Sequence, residues 1–368
     1  MSPDTRIAEM FGIEHPIVLA PMAGSAGPEL AIEVCNSGGL GSLPCAGLSV
    51  EAIRKHASDV HKNSGKPFSL NFFCHSFKEH DVKVEKQWLD EFEPYCEELD
   101  ITPSLGAESS NKVPFGEEHC QLIEDIRPAV ASFHFGLPES KLVERVKAAG
   151  CRVISSANTV EEAIWLEQHG CDAVIAQGTE AGGHRGMFLS KTVAEQAGTM
   201  ALVPQVVDAV SVPVIAAGGI GDGRGIAAAF ALGASAVQIG TAYLFADESW
   251  ANDFHRQKLA AAPDNGTVLT NVFSGRPARG FATRLTRELG PIHAQPMTFP
   301  MGYGVLSQFK VKAEADGSTE FSSYLSGQSA GLGQSQSAVR ITQRLIAEAG
   351  ERFLELSSRL QQPTTVCE

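Results

Sequence analysis

The hydrophobic pattern of the chain is a series of short apolar runs, each followed by a stretch of helical spacing. Ile17–Met22 is the first, followed by Gly39–Pro44, Phe68–Phe73 and Val130–Phe135. Arg152–Ala157, Ala173–Gly178, Pro213–Gly218 and Ala236–Leu244 complete a set of eight. Their apolarity is continuous rather than alternating, as a parallel strand buried on both faces requires. The intervening stretches read as helices. Thr159 and Glu162 stand in capping-box spacing, ahead of Ala163, Ile164 and Leu166, which can face a sheet. Gly225–Leu232 is Ala-rich and ends at Gly233, a suitable left-handed terminator. Strand and helix alternating eight times predict an α/β fold, a TIM (β/α)8 barrel.

A barrel needs roughly 250 residues, so this chain of 368 has room for more. We expect a barrel body over 1–244, extended at about 75–127, where an acidic stretch interrupts the rhythm. A turn-rich segment, 245–328, is expected to form a small second lobe over the C-terminal mouth. The final barrel helix is expected within 329–360, as Ser335–Arg359, with Val339, Thr342, Ile346, Ala349, Phe353 and Leu356 along one face. Residues 361–368 read as a frayed tail.

Composition narrows the partners. The formal net charge of −14 disfavours nucleic acid and anionic lipid, which both demand a cationic surface. The eight cysteines contain no C-x-x-C pair and no zinc spacing, which predicts reduced thiols and no metal site. The N-terminus has no apolar leader and no run of 18 apolar residues occurs, so a cytoplasmic protein is expected. A homodimer is left open.

In such barrels chemistry sits at the C-terminal ends of the strands. Gly218-Gly219 stands at the end of the seventh run and Gly240-Thr241 lies within the eighth, at the strand ends where barrels commonly hold a phosphate. Glycine lets backbone N–H groups approach an anion, and a helix starting near Asp222 adds its dipole. The alternative is that these glycines only make tight turns. Arg224 stands where a G-x-G-x-x-G fingerprint needs its third glycine, so a mononucleotide such as FMN suits better than a dinucleotide. Asn71, Gln177 and Gln238 bring carboxamides that match the donors and acceptors of a flavin edge, though each could equally be structural. His184, set among Gly182, Gly183 and Gly186 on a flexible loop, suits acid/base work near neutrality or anchoring of an anion. Arg185 beside it reads as solvated rather than as an anion clamp. His134 is a substrate-side candidate whose alternative is a satisfied histidine of the barrel's top layer. Tyr303 and Ser326, from the lobe segment, join it on the substrate side, and Tyr303 and Tyr324 could instead be ordinary packing.

AVIAQGTEAGGHRG, from Ala173, closely resembles a signature of class I nitronate monooxygenases (2-nitropropane dioxygenases). PIVLAPMAG, GGLGS, NFFCH, ISSANTVEEA, VPVIAAGGIGDGRG, SGRPARG and SGQSAG are similar to further family segments, densest over Arg152–Leu244. The resemblance implies FMN held by Met22, Asn71, Gln177, Gly182, Gly219 and Gln238, Ile239, Gly240 and Thr241, with Gly183 and Gly218 beside them. It puts His184 in the place of the family's active-site histidine. It also implies oxidation of a small anionic nitronate, such as propionate 3-nitronate, with O2 to a carbonyl compound plus nitrite or nitrate, in a detoxifying role. A similar E-A-G-G-H loop occurs in FMN-dependent NAD(P)H enoyl-acyl-carrier-protein reductases, and an NAD(P)H quinone reductase is a related alternative. A flavin-binding sensor without turnover is the non-enzymatic one.

Overall fold

The computed structural model describes residues 4–76, 82–103 and 113–361. Its strands are β1 (Ile17–Leu19), β2 (Gly41–Pro44), β3 (Phe68–Phe73), β4 (Val130–His134), β5 (Arg152–Ala157), β6 (Ala173–Gln177), β7 (Gly183–His184), β8 (Val214–Ala217), β9 (Ala236–Ile239), β10 (Thr267–Thr270) and β11 (Ala278–Phe281). Eight of them pair in parallel in the order β1-β9-β8-β6-β5-β4-β3-β2. Leu19 N–H donates to Leu40 at 2.9 Å and Leu40 N–H returns to Ile17 at 2.9 Å, so the first and last members meet and the sheet closes into a TIM barrel.

Each strand sends alternate residues to two separate cores, the period-2 geometry of the pleat. Leu19, Leu70, Phe133, Val153, Val174, Ala216 and Val237 face outward against the helices. Val18, Val130, Ile154, Ile175, Ile215 and Ala236 face inward. The inward core is plugged at the bottom by Ile7 and Phe11 of the helix Arg6–Phe11, which the sequence reading did not single out. The floor of the barrel is therefore largely apolar and filled, with Ser42 and Ser69 as small buried polar residues beside Val130, and the larger polar inward side chains stand at the top.

Several expected boundaries shift. The eighth run was expected to stay extended to Leu244, but β9 ends at Ile239. Gly240 then turns the chain into the 3-10 segment Thr241–Phe245. The last helix runs Ala338–Gln361, and residues 362–368 lie outside the described residues. Its core face is Ala338, Ile341, Thr342, Leu345 and Ala349, while Leu356 is 44% exposed. Of the expected stripe, Thr342 and Ala349 lie in that face and Ile346 and Phe353 pack partly buried against the same core, with Phe353 stacked on Phe230 of Gly223–Ala231, the helix this one packs against. A Cβ at Gly223 would stand 2.3 Å from that of Glu348. Thr159 Oγ1 accepts the Glu162 N–H as expected, yet the Glu162 carboxylate turns away from the reciprocal cap. It accepts N–H bonds from Asn158 at 2.7 Å and from Phe188, Leu189 and Ser190 at 2.8 to 3.2 Å.

The segment 245–328 carries β10 and β11, which pair antiparallel with β7 as a three-stranded sheet. Its helix Gly302–Ala315 packs Val305, Leu306 and Phe309 against Trp88, Phe92 and Tyr95, so the helices of 82–99 share this core rather than the barrel's. Seven cysteines among the described residues are free thiols, and no group of three or more His, Cys, Asp or Glu could hold a metal there. No helix among them is long and apolar enough to cross a membrane.

Candidate active site

A cavity of about 430 Å³ opens at the C-terminal ends of the barrel strands. Its base is made by the inward residues one step above the apolar core. Asn71 and Phe73 come from β3, Ser132 and His134 from β4, Ser156 from β5, Gln177 from β6 and Gln238 from β9. The lobe supplies the roof, including Tyr303, Ser307, Lys310, Tyr324 and Ser326.

Met22, Asn71, Gln177, Gly182, Gly183, Gly218, Gly219, Gln238, Gly240 and Thr241 all line this cavity, as do His134, His184, Tyr303 and Ser326. Ile239 does not. It is 1% exposed and belongs to the outward core, because strand alternation that points Gln238 into the mouth points its neighbour at the helices. Tyr324 is on the wall with Tyr303.

His184 was expected on a flexible loop. Instead it lies in β7, where Ala278 and Arg279 of β11 pair with His184 and Gly183. Its Nε2 meets Ser274 Oγ at 2.8 Å, and Ser274 in turn donates to the Arg276 carbonyl at 3.3 Å. Ser274 Oγ also accepts the Arg276 N–H at 3.4 Å, so this hydroxyl can accept from Nε2 or donate to it and serves either imidazole tautomer. The ring stands among Phe73, Phe135, Phe299 and Tyr303, with centroids at 5.5 to 6.4 Å. The Arg276 guanidinium lies over the Phe135 ring at 3.9 Å and donates to the Met187 carbonyl at 2.7 Å. An apolar cage rimmed by one cation strengthens any charge interaction made inside it.

His134 holds the backbone of His184. Its Nε2 donates to the His184 carbonyl at 3.1 Å while Nδ1 accepts from Ser156 Oγ at 3.2 Å. Burial pushes its pKa down to about 3, so the ring is neutral across the physiological range. Gln177 Nε2 donates to the same carbonyl at 3.0 Å, and its Oε1 accepts from Gly186 N–H at 2.8 Å. Asn71 donates to Ser132 Oγ at 3.0 Å. Arg185 is a correction. It is 0% exposed and donates to the carbonyls of Gln177 and Gly178 at 2.7 Å and to Gln196 Oε1 at 2.8 Å. It points away from both solvent and cavity, on the side opposite its neighbour His184, and burial lowers its pKa to about 9.

The opposite side of the mouth is built from backbone. Gly218 and Gly219 have φ of 114° and 72°, which L side chains rarely adopt. The N–H groups of Gly219, Ile220 and Gly240 have no acceptor among the described residues, and neither does the Gln238 amide have a partner there. Glu180 is occupied elsewhere, accepting from Thr199 N and Oγ1 at 2.8 to 3.0 Å. The roof loop docks beside it. Gly327 N–H donates to Thr241 Oγ1 at 2.9 Å, and a Cβ on Gly182 would meet Gly327 N at 2.5 Å. Unclaimed N–H groups beside these turns could hold an anionic group such as a phosphate, with a helix N-terminus capped by Asp222 next to them. Ser274, Arg276, Phe299 and Lys310 were not singled out from sequence. Ser274 and Arg276 lie in SGRPARG, a segment whose similarity to the family was the available signal.

A family model described as nitronate monooxygenase matches residues 4–348. A nitronate monooxygenase of Pseudomonas aeruginosa is 40% identical, covering 93% of this chain and 98% of its own length. One of Paraburkholderia phytofirmans is 38% identical over 94% and 95%. Among solved structures, a nitroalkane oxidase from Streptomyces ansochromogenes superposes with a TM-score of 0.85 at 32% identity, covering 95% of this chain and 99% of that one. FabK from Thermotoga maritima gives 0.72 at 29% identity, over 96% and 98%.

Proposed function

The chain belongs to the nitronate monooxygenase family, an enzymatic family of oxidoreductases, and from that premise we propose that it oxidises small alkyl nitronates with FMN and O2. The products are a carbonyl compound and nitrite or nitrate, and the substrate is an anion of the propionate 3-nitronate type.

One observation carries this reading. The unclaimed N–H groups of Gly219, Ile220 and Gly240 and the unpartnered amide of Gln238 face the same cavity as His184. A phosphate fits the first set, and the donor and acceptor edge of a flavin fits the Gln238 carboxamide. Held there, FMN would supply the electron-accepting and O2-reactive chemistry. The chain's own part is to bind, orient and exclude water. Phe73, Phe135, Phe299 and Tyr303 make the substrate side dry, which strengthens the attraction between a nitronate and His184 or the nearby guanidinium of Arg276. A nitronate is already deprotonated and needs no base, so His184 acts on it as an imidazolium, whose second N–H on Nδ1 donates to the anion. For a neutral nitroalkane the lone pair on Nδ1 is the base that takes the α-proton. That tautomer has Ser274 Oγ accepting from Nε2–H. Lys310 lines the cavity, with its ammonium 3.9 Å from Glu314 and 4.8 Å from the Tyr324 ring centre, and it is the cation we assign to a second anionic group on the substrate.

Purified protein loaded with FMN is expected to consume O2 and release nitrite or nitrate from propionate 3-nitronate. His184→Ala is expected to bind FMN normally and to lose about a hundredfold or more in kcat/KM. Rapid NADPH oxidation with an enoyl thioester or quinone, and no oxygen uptake with nitronate, would replace this reading with a reductase. The structural likeness to FabK makes that the assay to run alongside.

A further inference from the structure

We propose that Asn158, a residue outside the cavity, is a positioning residue that fixes which face of the Gln177 amide the cavity sees. Asn158 follows β5, is 0% exposed and is not part of the cavity wall. Its Nδ2 donates to two oxygens of one residue, the Gln177 carbonyl at 3.0 Å and Gln177 Oε1 at 2.8 Å. Gln177 Oε1 also accepts the Gly186 N–H at 2.8 Å. Both lone pairs of that oxygen are therefore taken by donors lying away from the mouth. Turning the Gln177 amide over would set its NH2 against Asn158 Nδ2 and Gly186 N–H, donor against donor. It would also set its oxygen against the His184 carbonyl, which now accepts from Nε2 at 3.0 Å. Gln177 is thus restricted to offering the cavity its second N–H, a donor and never an acceptor.

Asn158 pays for this orientation with an oxygen. Its Oδ1 is buried with no hydrogen-bond partner among the described residues, an unusual state for a side-chain amide inside a protein. Its own backbone is held from behind, where the N–H donates to Glu162 Oε2 at 2.7 Å. The other oxygen of Glu162 gathers the N–H groups of Phe188, Leu189 and Ser190. Asn158 and Glu162 thereby hold both ends of the loop that leaves His184, one through Gln177 and Gly186 and one through residues 188–190. The arrangement selects a ligand whose edge presents an acceptor to Gln177. This part rests on the flavin reading above; the hold on the loop does not.

Asn158→Asp keeps the side-chain size and removes the donor when ionised. Amide exchange at Gly186 in flavin-free protein reads the loop, and FMN titration reads the amide. At about pH 8 we expect Gly186 to exchange at least about tenfold faster than in the parent, after correction for intrinsic rates. FMN should bind at least about tenfold more weakly, the ratio for one buried hydrogen bond. At about pH 6 both gaps should narrow, because a carboxyl facing two oxygens is protonated more easily and then donates again. Asn158→Ala should show both defects with no relief at lower pH. Gln177→Glu, which keeps the acceptor oxygen but not the donor, guards against poor folding of the first two. It should retain Gly186 protection and lose FMN affinity. Exchange and affinity within about twofold of the parent in the Asn158 variants, or parental FMN affinity in Gln177→Glu, would overturn the inference. A parent protein that binds no FMN would sink the flavin reading, and the Gly186 comparison would still decide whether Asn158 holds the loop.

Discussion

Replacing His134 by Gln keeps a side-chain N–H near the His184 carbonyl and removes a ring that the fold holds neutral. The native pKa of His134 is about 3, against 6.5 for an unperturbed histidine, and its cause is burial. A depressed histidine pKa means that acid favours the unfolded chain. Above pH 6.5 neither state carries the proton, so the residue adds no pH dependence. As pH falls from 6.5 towards 3 the unfolded chain binds a proton that the native state refuses, and stability drops by about 1.4 kcal/mol per pH unit. At pH 4.5 the loss is about 2.5 kcal/mol. That figure depends almost wholly on the unfolded pKa, provided the native one lies well below 4.5. Denaturant unfolding of parent and variant at about pH 7.5 and 4.5 isolates it, because every other titrating group cancels between the two proteins. The parent should lose about 2.5 kcal/mol more than His134→Gln on acidification. An equal acid loss in both would show that His134 protonates in place, and the assignment of a neutral ring bracing His184 would fall.

Other perturbations read other parts of the site. Gly219→Val puts a β-branched residue at φ 72° beside Glu180 and over the unclaimed N–H groups, and should weaken FMN binding at least about tenfold by fluorescence titration. Arg185→Met strips donors from the Gln177 and Gly178 carbonyls and from Gln196, and should cost at least about 2 kcal/mol in denaturant unfolding, even after relief of the buried charge. Lys310→Met should raise KM about tenfold or more for a nitronate carrying a carboxylate and leave that for an uncharged alkyl nitronate within about twofold, in steady-state oxygen uptake.

Much of this architecture is legible in the sequence because parallel strands buried on both faces leave a strong mark. All eight apolar runs contain a barrel strand. Gly218-Gly219 and Gly240-Thr241 could be placed at the mouth because barrel topology fixes which strand ends are neighbours. What escaped depends on side-chain direction and on distant partners. Ile239 was grouped with Gln238 and Gly240, but alternation sends it outward. Arg185 was read as solvated from its polarity alone, and nothing local reveals the three acceptors that bury it. The last helix was phased on apolar residues, whereas its partner is the glycine-rich start of Gly223–Ala231. Ser274 lies 90 positions from His184 and reaches it only because β11 pairs with β7. Asn158 sits inside a recognisable motif, yet its role appears only in the hydrogen bonds it sends to Gln177.

The central claim is that this cavity brings an anionic nitronate against a flavin. The most direct test is anaerobic mixing of the FMN-loaded protein with propionate 3-nitronate, followed by flavin absorbance. The account predicts loss of the oxidised band on mixing, and its return with nitrite or nitrate release when O2 is admitted. A flavin that stays oxidised with nitronate and bleaches with NADPH would contradict it.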